Sequence, residues 1–197
     1  MADWLHQLDL SGMRALYGRG SESWSYGMIL ITILGSGWSM LVLLPLLAWR
    51  RSRPVARELT IVLMVTAVAV FLLKHVVRRT RPCNCLTYVH VLWGRTPHDY
   101  SFPSGHATGA FAFAAFVTVV VLSHSELRTS LRALAITAAL IFAFAVAVSR
   151  VYLGFHFPSD VIGAAIIGAS IGVWGGRRFA RKGGRVAEFL GSADTSA

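Results

Sequence analysis

Long apolar runs separated by short polar segments form the main pattern of this chain. The runs cover residues 28–49, 59–73, 106–123, 131–149 and 161–174, and most approach the roughly 20 residues that an α-helix needs to cross a bilayer. The second run is short, and the fifth is rich in glycine and alanine, which favours close helix packing in lipid. The pattern predicts an all-α fold, a polytopic membrane helix bundle with about five transmembrane helices.

Composition supports this fold class. Hydrophobic residues make up 55% of the chain and charged residues 14%, and the mean hydropathy is +0.59. Soluble domains contain about 25% charged residues, so a soluble fold is not expected. We interpret the chain as an integral membrane protein.

The sequence divides into three predicted parts. Residues 1–27 mix apolar and polar side chains in a way that is typical of an amphipathic helix at the membrane interface. A flexible leader is the alternative, and the segment lacks the basic start and cleavage pattern of a signal peptide. Residues 28–176 form the predicted transmembrane domain, and residues 177–197 form a basic cytoplasmic tail that is partly disordered.

The first polar cluster is Lys74-x6-Arg81-Pro82, at the end of the second apolar run. Lys74 and Arg81 lie on one helix face if the second span continues through them, and Arg78 then shares roughly that face. Converging cations suit a phosphate, because arginine offers a planar fork and lysine a point charge. Basic side chains at a span end often only reach towards the headgroups, so this cluster alone leaves both interpretations open.

The second cluster is Pro103-Ser104-Gly105-His106, directly before the third apolar run. Ser104 is in position to cap this helix, and Gly105 lets the backbone approach a ligand closely. A helix N-terminus offers free N–H groups and a positive dipole end, and both favour an anion. An ordinary loop-to-helix junction is the alternative, but an imidazole beside an anion site favours His106 as a general acid.

The third cluster, Ser149-Arg150-x5-His156-x3-Asp160, lies between the fourth and fifth runs. A carboxylate four residues after a histidine can hold one ring nitrogen, which leaves the other unprotonated and directed at a substrate. The same pair is compatible with a purely structural hydrogen bond. Together, the three clusters predict a phosphate-handling site at the ends of membrane spans, where ionisable groups are costly and need a reason.

The distribution of basic residues predicts how this site is oriented. The net charge is +10, but no nucleic-acid-binding motif interrupts the apolar runs, so no nucleic acid partner is expected. One side of the membrane carries eleven basic residues, namely Arg50, Arg51, Arg53, Arg57, Arg128, Arg132, Arg177, Arg178, Arg181, Lys182 and Arg185. The opposite side carries eight, namely Arg14, Arg19, Lys74, Arg78, Arg79, Arg81, Arg95 and Arg150. The positive-inside rule predicts a multi-pass protein of the inner (plasma) membrane with its site facing the periplasm or exterior.

Cys83 and Cys85 are the two cysteines of the chain. Their C-x-C spacing is too close for an easy, unstrained disulfide, and two cysteines alone do not make a structural zinc site. We assign them no redox or metal role, and we predict no metal-binding residues.

In this order, the three clusters closely resemble the signature of the type-2 phosphatidate phosphatase family. Its wider superfamily includes lipid phosphate phosphatases, vanadium haloperoxidases and bacterial acid phosphatases. The family patterns K-x6-R-P, P-S-G-H and S-R-x5-H-x3-D occur without substitution between Lys74 and Asp160. Many membrane members have six spans, whereas five and an amphipathic leader are predicted here. The difference bears on substrate entry more than on chemistry.

The resemblance implies metal-independent hydrolysis of a phosphate ester or anhydride, without a cofactor, through a phosphohistidine intermediate. It makes His156 the nucleophile, Asp160 the group that orients it, and His106 the acid that protonates the leaving oxygen. It assigns binding of the phosphoryl oxygens to Lys74, Arg81, Ser104, Gly105 and Arg150.

A site at the membrane surface suits a lipid whose headgroup phosphate reaches the interface while its tail stays in the bilayer. Undecaprenyl diphosphate is the first expectation, followed by phosphatidylglycerol phosphate and phosphatidate. A non-catalytic protein that binds or transports such lipids is the alternative, although the intact motif histidines favour an enzyme. The loop before the second cluster contains Trp93, Arg95, His98, Asp99 and Tyr100. These residues either form part of a lid or a headgroup contact, or they are ordinary loop residues with an interfacial aromatic belt.

Overall fold

The computed structural model describes residues 3–36, 50, 52–124 and 127–182. Within these residues the chain forms six α-helices and one short 3-10 helix. In chain order they are α1 (Asp3–Leu16), α2 (Glu22–Leu34), α3 (Arg53–Val77), the 3-10 helix Pro82–Asn84, α4 (Gly105–Leu122), α5 (Thr129–Tyr152) and α6 (Pro158–Arg181). The predicted all-α fold is confirmed.

Four helical segments of the described chain are long and apolar enough to span a bilayer, namely Arg53–Asn84, Gly105–Leu122, Thr129–Tyr152 and Pro158–Arg181. They correspond to the second to fifth predicted spans. The first predicted run overlaps α2 and continues into residues 37–49, which lie outside the described residues. α3 is longer than its apolar run, because its backbone continues helically through Glu58 near one end and Lys74 near the other.

α4 and α6 make the most extensive helix pair in the bundle, and glycine makes this pair possible. A Cβ atom on Gly168 would lie 2.3 Å from the carbonyl oxygen of Thr108, and one on Gly172 would lie 2.2 Å from that of Ala112. Both distances are far shorter than a van der Waals contact, so a larger residue cannot replace either glycine without moving the helices apart. The predicted close packing of the fifth run is confirmed.

Small side chains also form the core between α4 and α5. Ala107, Ala114 and Ala143 are fully buried there. Large apolar side chains such as Phe144 and Ile166 are instead exposed on the outside of the bundle. In a membrane these side chains face lipid tails, which are as apolar as they are.

α1 packs against the N-terminal end of α6. A Cβ atom on Gly12 would lie 2.5 Å from Pro158 Cγ, so the two helices touch at this point. Met13 and Asp9 of α1 are fully buried, whereas Trp4 is 69% exposed. The helix therefore has one face buried against the protein and one exposed face. The interfacial position of residues 1–27 stays a prediction.

Backbone hydrogen bonds bring the three sequence clusters to the same end of the bundle. Ser101 N donates to the Arg79 carbonyl oxygen at 2.7 Å, and Ser104 N donates to that of Asp160 at 3.4 Å. The segments after α3, before α4 and at the start of α6 are thereby joined. We call this the active-site end.

At the opposite end, α3 and α6 are linked by ion pairs. Glu58 lies 3.0 Å from Arg178 Nε and 3.5 Å from Lys182 Nζ. α6 continues through Arg181, so the first cations of the predicted tail are helical. Residues 183–197, including Arg185, lie outside the described part of the chain.

Candidate active site

His156 lies in the loop before α6, and Asp160 lies in the first turn of that helix. His156 Nδ1 is 3.7 Å from Asp160 Oδ2. Ser101 Oγ contacts both groups, since it lies 3.5 Å from His156 Nδ1 and donates to Asp160 Oδ2 at 2.5 Å. Phe157 N donates to the same carboxylate oxygen at 2.9 Å. The carboxylate is therefore fixed beside the imidazole.

The other ring nitrogen of His156 faces an arginine. Arg81 Nη1 lies 3.1 Å from His156 Nε2 and donates to the carbonyl oxygen of Phe155 at 2.9 Å. Because a guanidinium only donates, Nε2 is the acceptor and the ring proton lies on Nδ1. Burial, opposed by the hydrogen bond to Asp160 and reinforced by the charges of Arg81 and Arg150, lowers the pKa of His156 to about 3. The imidazole is neutral, with its lone pair on Nε2.

Lys74 and Arg81 converge, but not through the geometry expected from the sequence. α3 ends at Val77, and Arg78 adopts a left-handed conformation with φ 51°. The prediction that the two cations share one helix face is therefore wrong. The chain turns after α3 and brings both cations to Asp99, with Lys74 Nζ 2.9 Å from Oδ2 and Arg81 Nη2 2.7 Å from Oδ1.

Asp99 and its neighbour also engage these cations through the backbone. Arg81 Nε donates to the Asp99 carbonyl oxygen at 3.1 Å, and Lys74 Nζ donates to that of Tyr100. Partial burial alone would raise the pKa of the Asp99 carboxyl, but the hydrogen bond from Lys74 and the charge of Arg81 hold that pKa below its ordinary value. A carboxylate thus lies where an anionic ligand would meet both cations. Its side chain is 55% exposed, so it can move towards solvent.

Two further side chains of the site, Arg150 and Ser104, each have a polar atom without a hydrogen-bond partner among the described residues. Arg150 Nη1 donates to Thr32 Oγ1 at 2.9 Å, and the guanidinium lies 3.9 Å from the centre of the Phe155 ring. Arg150 Nε and Ser104 Oγ are both buried and have no hydrogen-bond partner among the described residues. The predicted side-chain cap of α4 by Ser104 is therefore not formed. Buried unpaired polar atoms are costly, and an anion within reach would satisfy both.

Gly105 and His106 begin α4 directly after Ser104. A Cβ atom on Gly105 would have Val70 Cγ1 as a neighbour at 3.6 Å. His106 is partly buried and interacts electrostatically with Arg150, His156, Arg81 and Lys74. All eight residues that the sequence predicts for the site are thereby gathered at the active-site end.

A family model described as the PAP2 superfamily matches residues 55–182, which contain the three clusters. This chain belongs to the PAP2 superfamily. It is 36% identical over 155 residues to decaprenylphosphoryl-5-phosphoribose phosphatase of Mycobacterium tuberculosis, a match that covers 74% of this chain and 76% of the relative. It is 35% identical over 130 residues to undecaprenyl-diphosphatase of Sulfolobus acidocaldarius, covering 64% and 56% of the two chains.

The PAP2 fold is also found in a solved structure. The helices superpose on those of a transmembrane PAP2-type phosphatidylglycerolphosphate phosphatase from Bacillus subtilis with a TM-score of 0.74 and 21% identity, covering 92% of this chain and 88% of the other. The predicted family is confirmed. The chain is a multi-pass membrane protein and a phosphatase of this superfamily.

Four residues of this PAP2 site were not predicted for it from the sequence: Asp9, Thr32, Arg79 and Ser101. The signal for Arg79 was its place within the first cluster, between Lys74 and Arg81. Asp9 and Thr32 belong to helices outside the three clusters, and no local spacing relates them to the site. The sequence leaves Asp99 either in a lid or headgroup contact or in an ordinary loop, and it does not predict the contact of Asp99 with both cations.

Proposed function

We propose that this PAP2 protein hydrolyses a lipid phosphate through a covalent phosphohistidine on His156. The observation that carries the proposal is the state of the imidazole. Nδ1 faces Ser101 and Asp160, and Nε2 holds an unprotonated lone pair 3.1 Å from Arg81. A nucleophile with one nitrogen fixed and the other next to a fixed cation suits attack on a phosphoryl group.

The first step transfers the phosphoryl group to the protein. His156 Nε2 attacks phosphorus, and the nitrogen–phosphorus bond forms while the bond to the leaving oxygen breaks. His106 acts in its doubly protonated form and gives one proton to that oxygen, becoming neutral, and Asp160 stabilises the positive charge that develops on the His156 ring. In the second step, water attacks phosphorus, His106 takes the proton, and the nitrogen–phosphorus bond breaks. Inorganic phosphate leaves, and His156 is neutral again.

The phosphoryl oxygens are bound by Lys74, Arg81 and Arg150, with the Ser104 hydroxyl and the Gly105 N–H as additional donors. Arg150 Nε and Ser104 Oγ, which have no hydrogen-bond partner within the part of the chain that the structure describes, support this assignment. Substrate phosphate takes the place of the Asp99 carboxylate on two of these cations. Phosphoryl transfer depends mainly on positioning and charge stabilisation. Three fixed cations supply that charge, so we propose a reaction that needs no metal.

For the substrate, we place polyprenyl lipids first. The names of two relatives, decaprenylphosphoryl-5-phosphoribose phosphatase and undecaprenyl-diphosphatase, both specify a polyprenyl-linked phosphate. Undecaprenyl diphosphate is the substrate expected from the sequence, and decaprenylphosphoryl-5-phosphoribose is supported by the relative with the greater coverage. Phosphatidylglycerol phosphate and phosphatidate follow. The charge distribution along the chain supports an active site on the outer face of the inner membrane.

The test measures phosphate release from all four lipids in detergent with EDTA. It compares the unmodified protein, the parent, with the His156→Ala variant. We expect turnover of a polyprenyl substrate without metal, and none by the variant. A parent that requires added Mg²⁺ after EDTA would contradict metal independence. Equal background release by both proteins on every lipid would contradict the phosphatase proposal itself.

A further inference from the structure

The polar network at the active-site end extends to the first helix of the chain. Asp9 on α1 is fully buried. Its Oδ1 accepts from Ser159 N at 2.9 Å and its Oδ2 from Ser159 Oγ at 2.8 Å, and Oδ2 also pairs with Arg79 Nη2. Both carboxylate oxygens are therefore engaged, although the reaction steps above make no use of Asp9.

Arg79 connects Asp9 to the catalytic carboxylate. Its Nη1 donates to Asp160 Oδ1 at 2.7 Å and to Ser159 Oγ at 2.6 Å, while Nη2 faces Asp9. The guanidinium also lies 4.4 Å from the centre of the Phe157 ring. Asp160 uses its other oxygen, Oδ2, for the contacts with Ser101 and His156. An unbroken series of contacts thus runs from α1 to the imidazole.

The net charge of Asp9, Arg79 and Asp160 suggests how Asp9 affects His156. Arg79 paired with Asp160 alone would form a neutral couple, and such a couple does little to stabilise positive charge on His156. Asp9 brings a second carboxylate to the same guanidinium, so the two buried carboxylates and the largely buried Arg79 carry one net negative charge. Away from water, that charge acts strongly on the neighbouring ring.

α1 is also fixed in place by contacts outside this network. The Tyr17 hydroxyl, just after the helix, donates to the His90 carbonyl oxygen at 3.0 Å and accepts from His90 N at 2.8 Å. Gly12 lies directly against Pro158, one residue before Ser159. Asp9 is therefore held at a defined distance from the start of α6.

We propose that Asp9 is a positioning residue for phosphoryl transfer: it holds Arg79 so that Asp160 stays directed at His156 and keeps its effective negative charge. The inference rests on the proposed role of His156 as the nucleophile. It makes α1 a support for the reaction machinery, in addition to the membrane-surface role predicted for the leader.

The test compares Asp9→Asn with Asp3→Asn in the full chain in detergent. Asp3 lies on the same helix, undergoes the same change, and is exposed. We expect parental kcat and KM for Asp3→Asn. For Asp9→Asn we expect kcat to fall about tenfold or more while KM changes less than about twofold, because Asp9 contacts the transition-state machinery and not the substrate. Melting temperatures establish the folded fraction of each protein.

A second variant covers the case in which Asp9→Asn does not fold. Arg79→Lys keeps the positive charge, but an ammonium lacks the planar fork that reaches both carboxylates. It should lower kcat in the same way. Parental kcat per folded molecule in Arg79→Lys, or in folded Asp9→Asn, would overturn the inference.

A measurement that does not depend on turnover distinguishes failure of this inference from failure of the proposed function. Nitrogen NMR of isotope-labelled histidine reports the Nδ1–H of His156, and its signal should move in Asp9→Asn and Arg79→Lys but not in Asp3→Asn. If the parent releases no phosphate from any lipid, the proposed function fails. An unchanged His156 signal in both network variants contradicts the role of Asp9 whether or not the parent is active.

Discussion

The two ends of the helix bundle use charged side chains in different ways. At the active-site end, Arg81 and Arg150 are each 5% exposed and Asp160 is fully buried. At the opposite end, the buried Glu58 is paired with Arg178 and Lys182, whose side chains are 36% and 49% exposed. Cations therefore accompany helix ends on both sides of the bundle, but Arg81 and Arg150 at the active-site end are much less exposed than Arg178 and Lys182 at the opposite end.

This difference separates charges that anchor a protein in a membrane from charges that act on a ligand. An exposed cation is hydrated and mobile, so it stabilises little. A buried cation held by several hydrogen bonds is already oriented before a substrate arrives, which is the condition for electrostatic stabilisation of a transition state. The predictions below compare matched changes at the two ends.

The largest expected difference is between His156→Asn and Glu58→Gln. Loss of the nucleophile should lower kcat by on the order of a thousandfold or more. Glu58→Gln should change kcat less than about twofold, because Glu58 lies at the end of the bundle opposite the active site and its partners are partly solvated. Phosphate release and melting temperature are measured for both. A comparable loss of kcat in folded Glu58→Gln would show that the two ends are not functionally distinct.

Arg150→Lys and Arg178→Lys form the next pair. Arg150 contacts Thr32 and the Phe155 ring, and a lysine cannot reproduce both contacts or supply the unused Nε donor. We expect kcat/KM to fall about a hundredfold for Arg150→Lys and to remain near the parental value for Arg178→Lys. Full activity of Arg150→Lys would remove this residue from the phosphate-binding set.

Asp99→Asn tests whether substrate phosphate competes with a carboxylate of the protein itself. The variant frees Lys74 and Arg81 from a negative partner. The inhibition constant of inorganic phosphate should therefore fall by about two- to fivefold, which corresponds to the interaction energies of exposed ion pairs. His98→Ala, an exposed change in the same loop, should leave it unaltered. Weaker inhibition by phosphate in Asp99→Asn would mean that Asp99 supports the two cations rather than competing for them.

Ser104→Ala should separate activity from stability. Its Oγ has no partner among the described residues, so removing it should not lower the melting temperature. Loss of a hydrogen bond to the charged phosphoryl group should reduce kcat/KM about tenfold. Ser170→Ala, at an exposed position of α6, serves as the control. A lower melting temperature with full activity would assign Ser104 to the fold and not to the site.

The last expected effect is on acid stability. The folded protein holds the pKa of His156 at about 3, below the ordinary 6.5. Between these values the unfolded chain binds a proton that the folded chain does not, so stability falls as pH decreases from 6.5 towards 3. The melting temperature of the parent should therefore drop more between pH 7 and pH 4.5 than that of His156→Asn. Identical drops would contradict a neutral His156.

The motif residues could be predicted because their relationships are local. His156 and Asp160 are four residues apart in the sequence, and Ser104 and Gly105 mark a helix start that hydropathy locates. The helix end at Val77 could not be predicted, since a left-handed Arg78 leaves no trace in hydropathy. Because the chain turns at Arg78, Lys74 and Arg81 do not share one helix face. They meet at Asp99 instead.

The wider network depends on contacts between distant parts of the chain. Arg79 meets Asp9 and Asp160 across 70 and 81 residues, and Asp9 meets Ser159 across 150. Such contacts depend on how the helices pack, and that packing is set by backbone approaches such as those at Gly168 and Gly172. A glycine-rich run predicts close packing, but it does not specify which residues then meet.

The most direct test of the account is to trap the covalent intermediate. Parent protein turning over a lipid with a radiolabelled phosphate is quenched in alkali, and the labelled residue is identified by mass spectrometry. The account predicts an alkali-stable, acid-labile phosphate on His156 and no labelled protein for His156→Asn. A labelled phosphate on another residue, or turnover by folded His156→Asn, would contradict it.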